Sequence, residues 1–113
     1  MAKEYQNIIM YRDSDQILEF EVIDVESLND AFIKWQMASS IDGTPILTKT
    51  SDDSSEIEID GNIFKVIITP EDNKDLEIED YYHEARITDG TGKTRPVANG
   101  RVSVRDTLTE SEE

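Results

Sequence analysis

The sequence has 113 residues, with 26 acidic and 11 basic side chains, and its formal net charge is therefore −15. A chain of this length forms one domain with a single hydrophobic core. Nucleic acids and anionic membrane surfaces are disfavoured as partners, because both are negatively charged and are bound by basic surfaces. The chain has no cysteine and a single histidine, His83, which excludes disulfides, cysteine nucleophiles and a histidine-rich zinc site within one chain.

Most of the sequence alternates between apolar and polar residues, which is typical of β-strands with one buried face. The segment Met1–Asn7 precedes this pattern and is interpreted as a short N-terminal arm. In chain order the alternating segments are Gln16–Asp24, Phe32–Ser39, Glu56–Asp60, Asn62–Thr69, Tyr81–Thr88 and Gly100–Asp106. Asp60 and Gly61 separate two of these segments and predict a tight hairpin.

One segment between two predicted strands has helical rather than alternating character. Thr69 is a suitable N-cap, Pro70 suits the first helical position, and the acids that follow favour a first helical turn. The whole pattern predicts an all-β fold, an antiparallel β-sandwich of about seven or eight strands with one short helical turn. A closed β-barrel is the alternative. We expect one domain over residues 1–106 and a flexible acidic tail over residues 107–113.

Trp35 is the only tryptophan, and Ile33 and Met37 flank it on the same predicted strand face. A large aromatic ring in such a setting is typical of the core of a sandwich. We therefore predict that Trp35 anchors the core.

Two groups of acids raise the question of a cation site or of paired catalytic carboxylates. The first group surrounds Asp52–Asp60, and the second surrounds Glu71–Asp80. Neither group has the spacing of a calcium-binding loop. Carboxylates are so frequent in this sequence that two neighbouring ones are weak evidence for a catalytic pair. We interpret both groups as solvated surface and predict no metal, no cofactor and no catalytic residues.

His83 and the glycines near Asp89 are further candidates for chemistry. His83 lies on the apolar face of its predicted strand, which favours a packed side chain over a catalytic one. The loop Asp89–Lys93 contains two glycines but lacks the spacing of a phosphate-binding loop, so we predict a hairpin.

Basic residues are concentrated in the last third of the chain. By the alternation of the two strands concerned, Arg86, Arg101 and Arg105 can share one sheet face. Such a face is a candidate docking site for an acidic neighbour, including another copy of this chain. Pairing with nearby acids such as Glu84 is the alternative interpretation.

A set of short motifs resembles a known group of proteins. The motifs are, in order, Tyr11-Arg12-Asp13-Ser14-Asp15, Ala31-Phe32-Ile33-Lys34-Trp35-Gln36, Thr44-Pro45-Ile46-Leu47-Thr48-Lys49, Asp60 to Asp72 with its Thr69-Pro70-Glu71-Asp72 turn, Tyr81-Tyr82-His83-Glu84-Ala85-Arg86-Ile87-Thr88-Asp89, and Gly100-Arg101-Val102-Ser103-Val104. Their order is similar to short virion proteins of tailed bacteriophages and prophages, and to the immunoglobulin-like N-terminal domain of the phage baseplate upper protein.

The resemblance implies an immunoglobulin-like sandwich and a structural role in the virion, with no catalytic residues. The implied partners are other virion proteins and further copies of the chain in a homo-oligomer, such as a trimer. Baseplate upper proteins continue into a long C-terminal region, whereas this chain stops at Glu113. We therefore expect a stand-alone module made in the host cytoplasm: a tail, baseplate or fibre-attachment accessory, or a head decoration.

A carbohydrate-binding sandwich is the alternative function. It requires that Trp35, Tyr81 or Tyr82 is exposed as a stacking platform for a sugar ring. An enzyme is the least favoured class, because it needs an acid with a raised pKa in a cleft.

Deleting Thr107–Glu113 should leave the melting temperature nearly unchanged, because Leu108 is the only large apolar residue there. Differential scanning calorimetry of the truncated and full chains measures this. A large drop would show that the tail packs on the domain.

Overall fold

The computed structural model describes residues 4–5, 7–22, 25, 27–40 and 43–106. The strands there are β1 (Glu4–Tyr5), β2 (Ile8–Tyr11), β3 (Gln16–Glu21), β4 (Phe32–Ala38), β5 (Pro45–Thr50), β6 (Ile57–Asp60), β7 (Ile63–Ile68), β8 (Asp80–Thr88) and β9 (Thr94–Arg105). A four-residue helix, α1 (Pro70–Asn73), connects β7 to β8. The predicted tail, 107–113, lies outside the described residues.

The strands form two separate sheets. Sheet A has the order β1-β9-β8-β4-β5, and β2 also pairs with β9, whereas sheet B has the order β3-β7-β6. This is an immunoglobulin-like sandwich, so the predicted all-β fold with one helical turn is confirmed and the barrel alternative is wrong. All pairs are antiparallel except those of β1 and β2 with β9, which are parallel. The described part of the predicted arm thus contains a strand, β1.

The alternation of the sequence determines which side chains face the space between the sheets. The buried residues on the longer strands of both sheets are Leu18, Phe20, Ile33, Trp35, Met37, Phe64, Val66, Ile68, Tyr81, Ala85, Ile87, Val102 and Val104. Their polar neighbours in sequence point to solvent, as expected for sheets with one covered face. One continuous core results.

Trp35 lies at the centre of this core and has no exposed surface. Its Nε1 donates a hydrogen bond to Nδ1 of His83, 3.2 Å away, which satisfies the indole N–H away from water. Phe20 of sheet B stacks on Phe64 with ring centroids 5.1 Å apart and lies 5.9 Å from the His83 ring. These rings therefore connect the two sheets.

Tyr81 makes a tyrosine corner at the start of β8. Its hydroxyl donates to the carbonyl oxygen of Glu77 at 2.9 Å, four residues upstream. In immunoglobulin domains such a tyrosine precedes by two residues a cysteine that forms a disulfide with the opposite sheet. Here that position is His83, and the residue it meets across the sandwich is Phe20. Ring packing thus stands where a disulfide stands in those domains.

The last strand is longer than the sequence pattern predicted. It was expected over Gly100–Asp106, but β9 begins at Thr94 and contains a β-bulge. Arg86 pairs with Pro96 and Ala85 pairs with Ala98, so Val97 has no partner on β8. Proline is tolerated at this point because the pairing of β9 with β1 begins only at Ala98.

Two polar residues tie together segments that are distant in sequence. Arg12, between β2 and β3, donates from Nε to Asp106 at 2.7 Å and from Nη1 to the carbonyl of Leu76 at 3.0 Å. Asn73 is fully buried, and its amide exchanges hydrogen bonds with the backbone of Ser14. These contacts fix the connection between β7 and β8 against the turn that precedes β3.

Replacing Trp35 with alanine should lower the free energy of unfolding by about 3–5 kcal/mol, because a fully buried indole is lost and a cavity remains. Urea denaturation followed by circular dichroism measures this, since the substitution removes the only tryptophan. Ile46→Ala on β5 is the control, and its side chain is 46% exposed. A loss below about 1 kcal/mol for Trp35→Ala would contradict the assignment.

Candidate docking face

The outer face of sheet A contains the three arginines that the sequence singled out. Arg86 is an exposed residue of β8, and Arg101 and Arg105 are exposed residues of β9. Their neighbours in sequence, such as Ile87 and Val102, are buried, so the arginines point away from the core. The structure thus brings the three side chains to one face.

The three arginines form a strip rather than a cluster. Arg86 lies beside Pro96 of β9, whereas Arg101 lies beside Tyr82, four residues away along β8. Arg105 is four residues further along β9. Because a strand rises about 3.3 Å per residue and the strip covers eight residues, it is roughly 26 Å long. A partner must therefore cover much of the sheet to contact all three.

The arginines of the strip have few partners on the protein itself. Nε of Arg86 is 3.5 Å from Oε1 of Glu84, and both side chains are about half exposed, so this ion pair is weak. The guanidinium groups of Arg101 and Arg105 form no ion pair with any residue that the structure describes. Because Glu84 and Arg86 both lie on β8, this pair is within one strand, and no cross-strand ion pair among the described residues accounts for the three arginines.

Two exposed apolar residues extend the strip onto β2. Ile9 lies beside Ser103 and Tyr11 lies beside Arg105, with 45% and 41% of their surfaces exposed. Met10 between them is fully buried, so the outer positions follow from the pleat of the strand. Tyrosine and arginine are enriched at the centres of protein–protein interfaces.

A shallow cavity of about 430 Å³ opens on the same face. Its lining combines Ala38 and Pro45 with Tyr82, Asn99 and Arg101. Tyr82 is half-buried there, whereas Trp35 and Tyr81 are buried in the core and cannot stack on a ligand. Of the three rings considered for sugar binding, only Tyr82 is accessible.

The outer face of sheet B has the opposite charge. Glu19 and Glu21 of β3 and Glu58 and Asp60 of β6 are exposed there, with Lys65 of β7 between Glu19 and Glu58. The two faces of the sandwich therefore differ in sign, and an acidic partner is directed to sheet A.

The first group of acids forms turns. Asp53 accepts hydrogen bonds from the backbone and the hydroxyl of Ser55, and these bonds lower the pKa of its carboxyl group. Glu56 accepts a bond from the backbone N–H of Thr50. Within the described residues no three acids or histidines are grouped as metal ligands.

The loop Asp89–Lys93 is a hairpin organised by the side chain of Asp89. That carboxylate accepts bonds from the backbone N–H groups of Thr91 and Lys93 and from the Thr91 hydroxyl, which lowers its pKa. These two N–H groups therefore bond to a side chain of the loop itself, as expected for a turn.

The second group of acids includes a largely buried ion pair that the sequence did not reveal. Oδ2 of Asp72 in α1 is 2.7 Å from Nζ of Lys49, a lysine of β5 with 9% of its side chain exposed. It also accepts bonds from the N–H and the hydroxyl of Thr69. Burial raises the pKa of Asp72, but the bonds from Lys49 and Thr69 outweigh burial, so the pKa lies below its ordinary value.

The fold and this face define an immunoglobulin-like sandwich with one basic and one acidic surface. No family model and no curated protein matches the chain. Among solved structures, one of murine CRIg is similar at 12% sequence identity, with a TM-score of 0.43, over 88% of this chain and 92% of that chain. In the described residues no helix is long and apolar enough to cross a membrane.

Replacing Asp72 with asparagine should lower the free energy of unfolding by about 1–3 kcal/mol at pH 7, because Lys49 loses a charged partner. Since the pKa of Asp72 in the folded protein is below its ordinary value of 3.8, the stabilisation is complete above pH 3.8 and is lost as pH falls through the folded pKa.

Urea denaturation of both proteins between pH 7 and pH 2 measures this difference. Glu71→Gln is the control, because the Glu71 side chain is 82% exposed and pairs only with Lys74. An Asp72→Asn effect that stays constant down to pH 2 would contradict the assigned role.

Proposed function

We propose that this chain is a non-enzymatic structural protein of a tailed-phage virion and that it acts by docking other virion proteins through the outer face of sheet A. The observation behind the docking role is the strip of Arg86, Arg101 and Arg105, which ends beside the exposed Ile9 and Tyr11. The virion assignment rests on the resemblance of the sequence motifs. The place of the protein is then the virion, after synthesis in the host cytoplasm.

The charge of the strip favours an acidic neighbour. The chain as a whole has a net charge of −15, so most acidic proteins are repelled at long range. The outer face of sheet A nevertheless has more basic than acidic side chains. The basic ones are Lys34, Arg86, Arg101 and Arg105, and the acidic ones on the same strands are Asp80 and Glu84. Complementary charges of this kind select orientation and suppress wrong partners more than they add affinity.

The sheet also holds the strip ready for binding. Arg101 and Arg105 lie on a twelve-residue strand that pairs with β8 on one side and with β2 on the other. A rigid backbone lowers the entropy lost when the interface forms, although the side chains still become ordered. The same argument applies to a neighbour of the same sequence, and a homo-oligomer is part of the proposal.

A carbohydrate-binding module remains the second candidate function. The observation that favours it is the cavity of about 430 Å³, where Tyr82 lies among Gln36, Glu84 and Asn99. An aromatic ring with planar polar side chains around it can stack on a sugar ring and pair with its hydroxyl groups. Both candidates use sheet A, and they differ in whether the arginines or Tyr82 dominate binding.

The triple variant Arg86→Glu, Arg101→Glu, Arg105→Glu should reduce the number of copies in purified phage particles by about tenfold or more, because the docking charge is reversed. Quantitative mass spectrometry of particles counts the copies, and immunogold electron microscopy of wild-type particles locates them. The matched control is Lys65→Glu, Lys74→Glu, Lys93→Glu, which changes the net charge equally at positions outside the arginine strip: on β7, directly after α1, and in the hairpin between β8 and β9.

Two results would overturn the proposal. One is the absence of the wild-type protein from particles, and the other is equal loss in the test and control variants. Binding to a glycan array that Tyr82→Ala abolishes would establish the second candidate. Circular dichroism and melting curves confirm that each variant is folded before particles are compared.

A further inference from the structure

We propose that the outer edge of β3 binds an extended segment of another protein, with basic residues at alternate positions, as an added strand of sheet B. This surface lies on the sheet opposite the arginine strip, so the inference does not depend on the proposed function. It rests on four observations: the open hydrogen-bonding edge, its length, the protection of the other edges, and the charges along β3.

Among the described residues, the outer edge of β3 has no partner strand for its backbone groups. The N–H of Val22, directly after β3, donates to the carbonyl oxygen of Asn62 at 2.9 Å, on the side of β7. Backbone N–H and C=O groups alternate in direction along a strand, so this bond shows which residues of β3 face β7 and which face the open edge. Leu18 and Phe20 therefore bond to β7, whereas the N–H and C=O groups of Ile17, Glu19 and Glu21 point outward. No other described strand pairs with that side of β3.

The other edges of the two sheets are protected in ways that β3 is not. On β5, Pro45 opens the strand, Lys49 points inward, and Glu56 binds the outward N–H of Thr50. The edge strands β2 and β6 have only four residues each, and the carbonyl of Ile9 on β2 is bonded by the Gln16 side chain. Proline, inward charges and short length are the common protections of sheet edges. β3 has six residues and none of these protections.

The side chains of β3 indicate what the added strand contains. Glu19 and Glu21 are exposed on the outer face, and Ile17 beside them is 61% exposed. Residues opposite them on a new strand would lie about 5 Å away, where opposite charges stabilise and like charges destabilise pairing. The edge therefore favours a strand that has Lys or Arg opposite Glu19 and Glu21, on the solvent face of the sheet, and an apolar residue beside Ile17.

The same acids disfavour a second copy as the occupant. Antiparallel pairing of β3 with β3 of another copy brings Glu19 and Glu21 of both chains close together. Each chain also has a net charge of −15. Like-charge contacts between facing strands are a recognised way to prevent edge-to-edge association. Charge repulsion therefore disfavours pairing of β3 with β3 of a second copy, whereas it does not oppose pairing with a basic strand.

The test uses a blocked seven-residue peptide with lysine at two alternate positions and valine elsewhere, which can place lysines opposite Glu19 and Glu21 and a valine beside Ile17; it is titrated into the full chain and followed by amide NMR. We expect the outward amides of Ile17, Glu19 and Glu21 to shift and to become protected from hydrogen exchange. The inward amides of Leu18 and Phe20 should change little. A peptide of the same composition with all lysines before the valines is the control for charge alone.

Two variants separate strand addition from general attraction. Glu19→Gln with Glu21→Gln should weaken binding by about three- to tenfold, because two cross-strand charge pairs are lost. Glu58→Gln with Asp60→Asn makes the same charge change on β6 and should have a smaller effect. Glu19→Pro removes an outward donor without touching the bonds to β7, and should abolish protection of the edge in a folded protein.

The proposal is overturned if millimolar peptide leaves the β3 amides unchanged, or if the control peptide or the β6 variant behaves like its test counterpart. Protection of the β3 edge without peptide, together with a dimer in sedimentation, would mean that a second copy is the occupant. Loss of particle docking by the arginine variant is measured separately, so failure here leaves the proposed function untouched.

Discussion

The packing of Trp35, His83 and Phe20 between the sheets is the interaction on which the rest of the structure depends. Many immunoglobulin-like domains join their sheets at this place by a disulfide behind a tryptophan. This chain has no cysteine, and it uses an indole–imidazole hydrogen bond and ring stacking instead. In this bond Nδ1 of His83 is the acceptor and the indole N–H is the donor. These contacts join the two sheets through their buried faces, so the residues of the outer faces take no part in them.

The fold could be predicted where side chains alternate in sequence. The alternation around Phe20, Trp35 and Val66 identified the buried face of three strands, and Pro70 with its acidic neighbours identified the helical turn. Other elements were not predicted from the sequence. β5 has no clear alternation of apolar and polar residues, and β1 is only two residues long. β2 is too short to alternate clearly and depends on parallel pairing with β9. The start of β9 contains Pro96, which argues against a strand unless its neighbours are known.

The candidate site was predictable in the same partial way. Alternation placed Arg101 and Arg105 on one face of their strand, but their distance from Arg86 depends on the register between β8 and β9. The pair of Lys49 with Asp72 and the ties of Asn73 and Arg12 join segments far apart in the chain. Such contacts leave no local pattern in a sequence, because each partner alone resembles an ordinary surface residue.

The bulge at Val97 has a consequence for how the charged surface can change over time. Before it, the even-numbered residues of β9 point outward; after it, the odd-numbered residues do, including both arginines. The extra residue thus sets the facing of the entire second half of the strand. Gain or loss of one residue there would invert all the residues from Ala98 to Arg105 together, so that valines would replace the arginines at the surface. The position of the two arginines on the outer face therefore depends on that backbone irregularity as much as on the residue type.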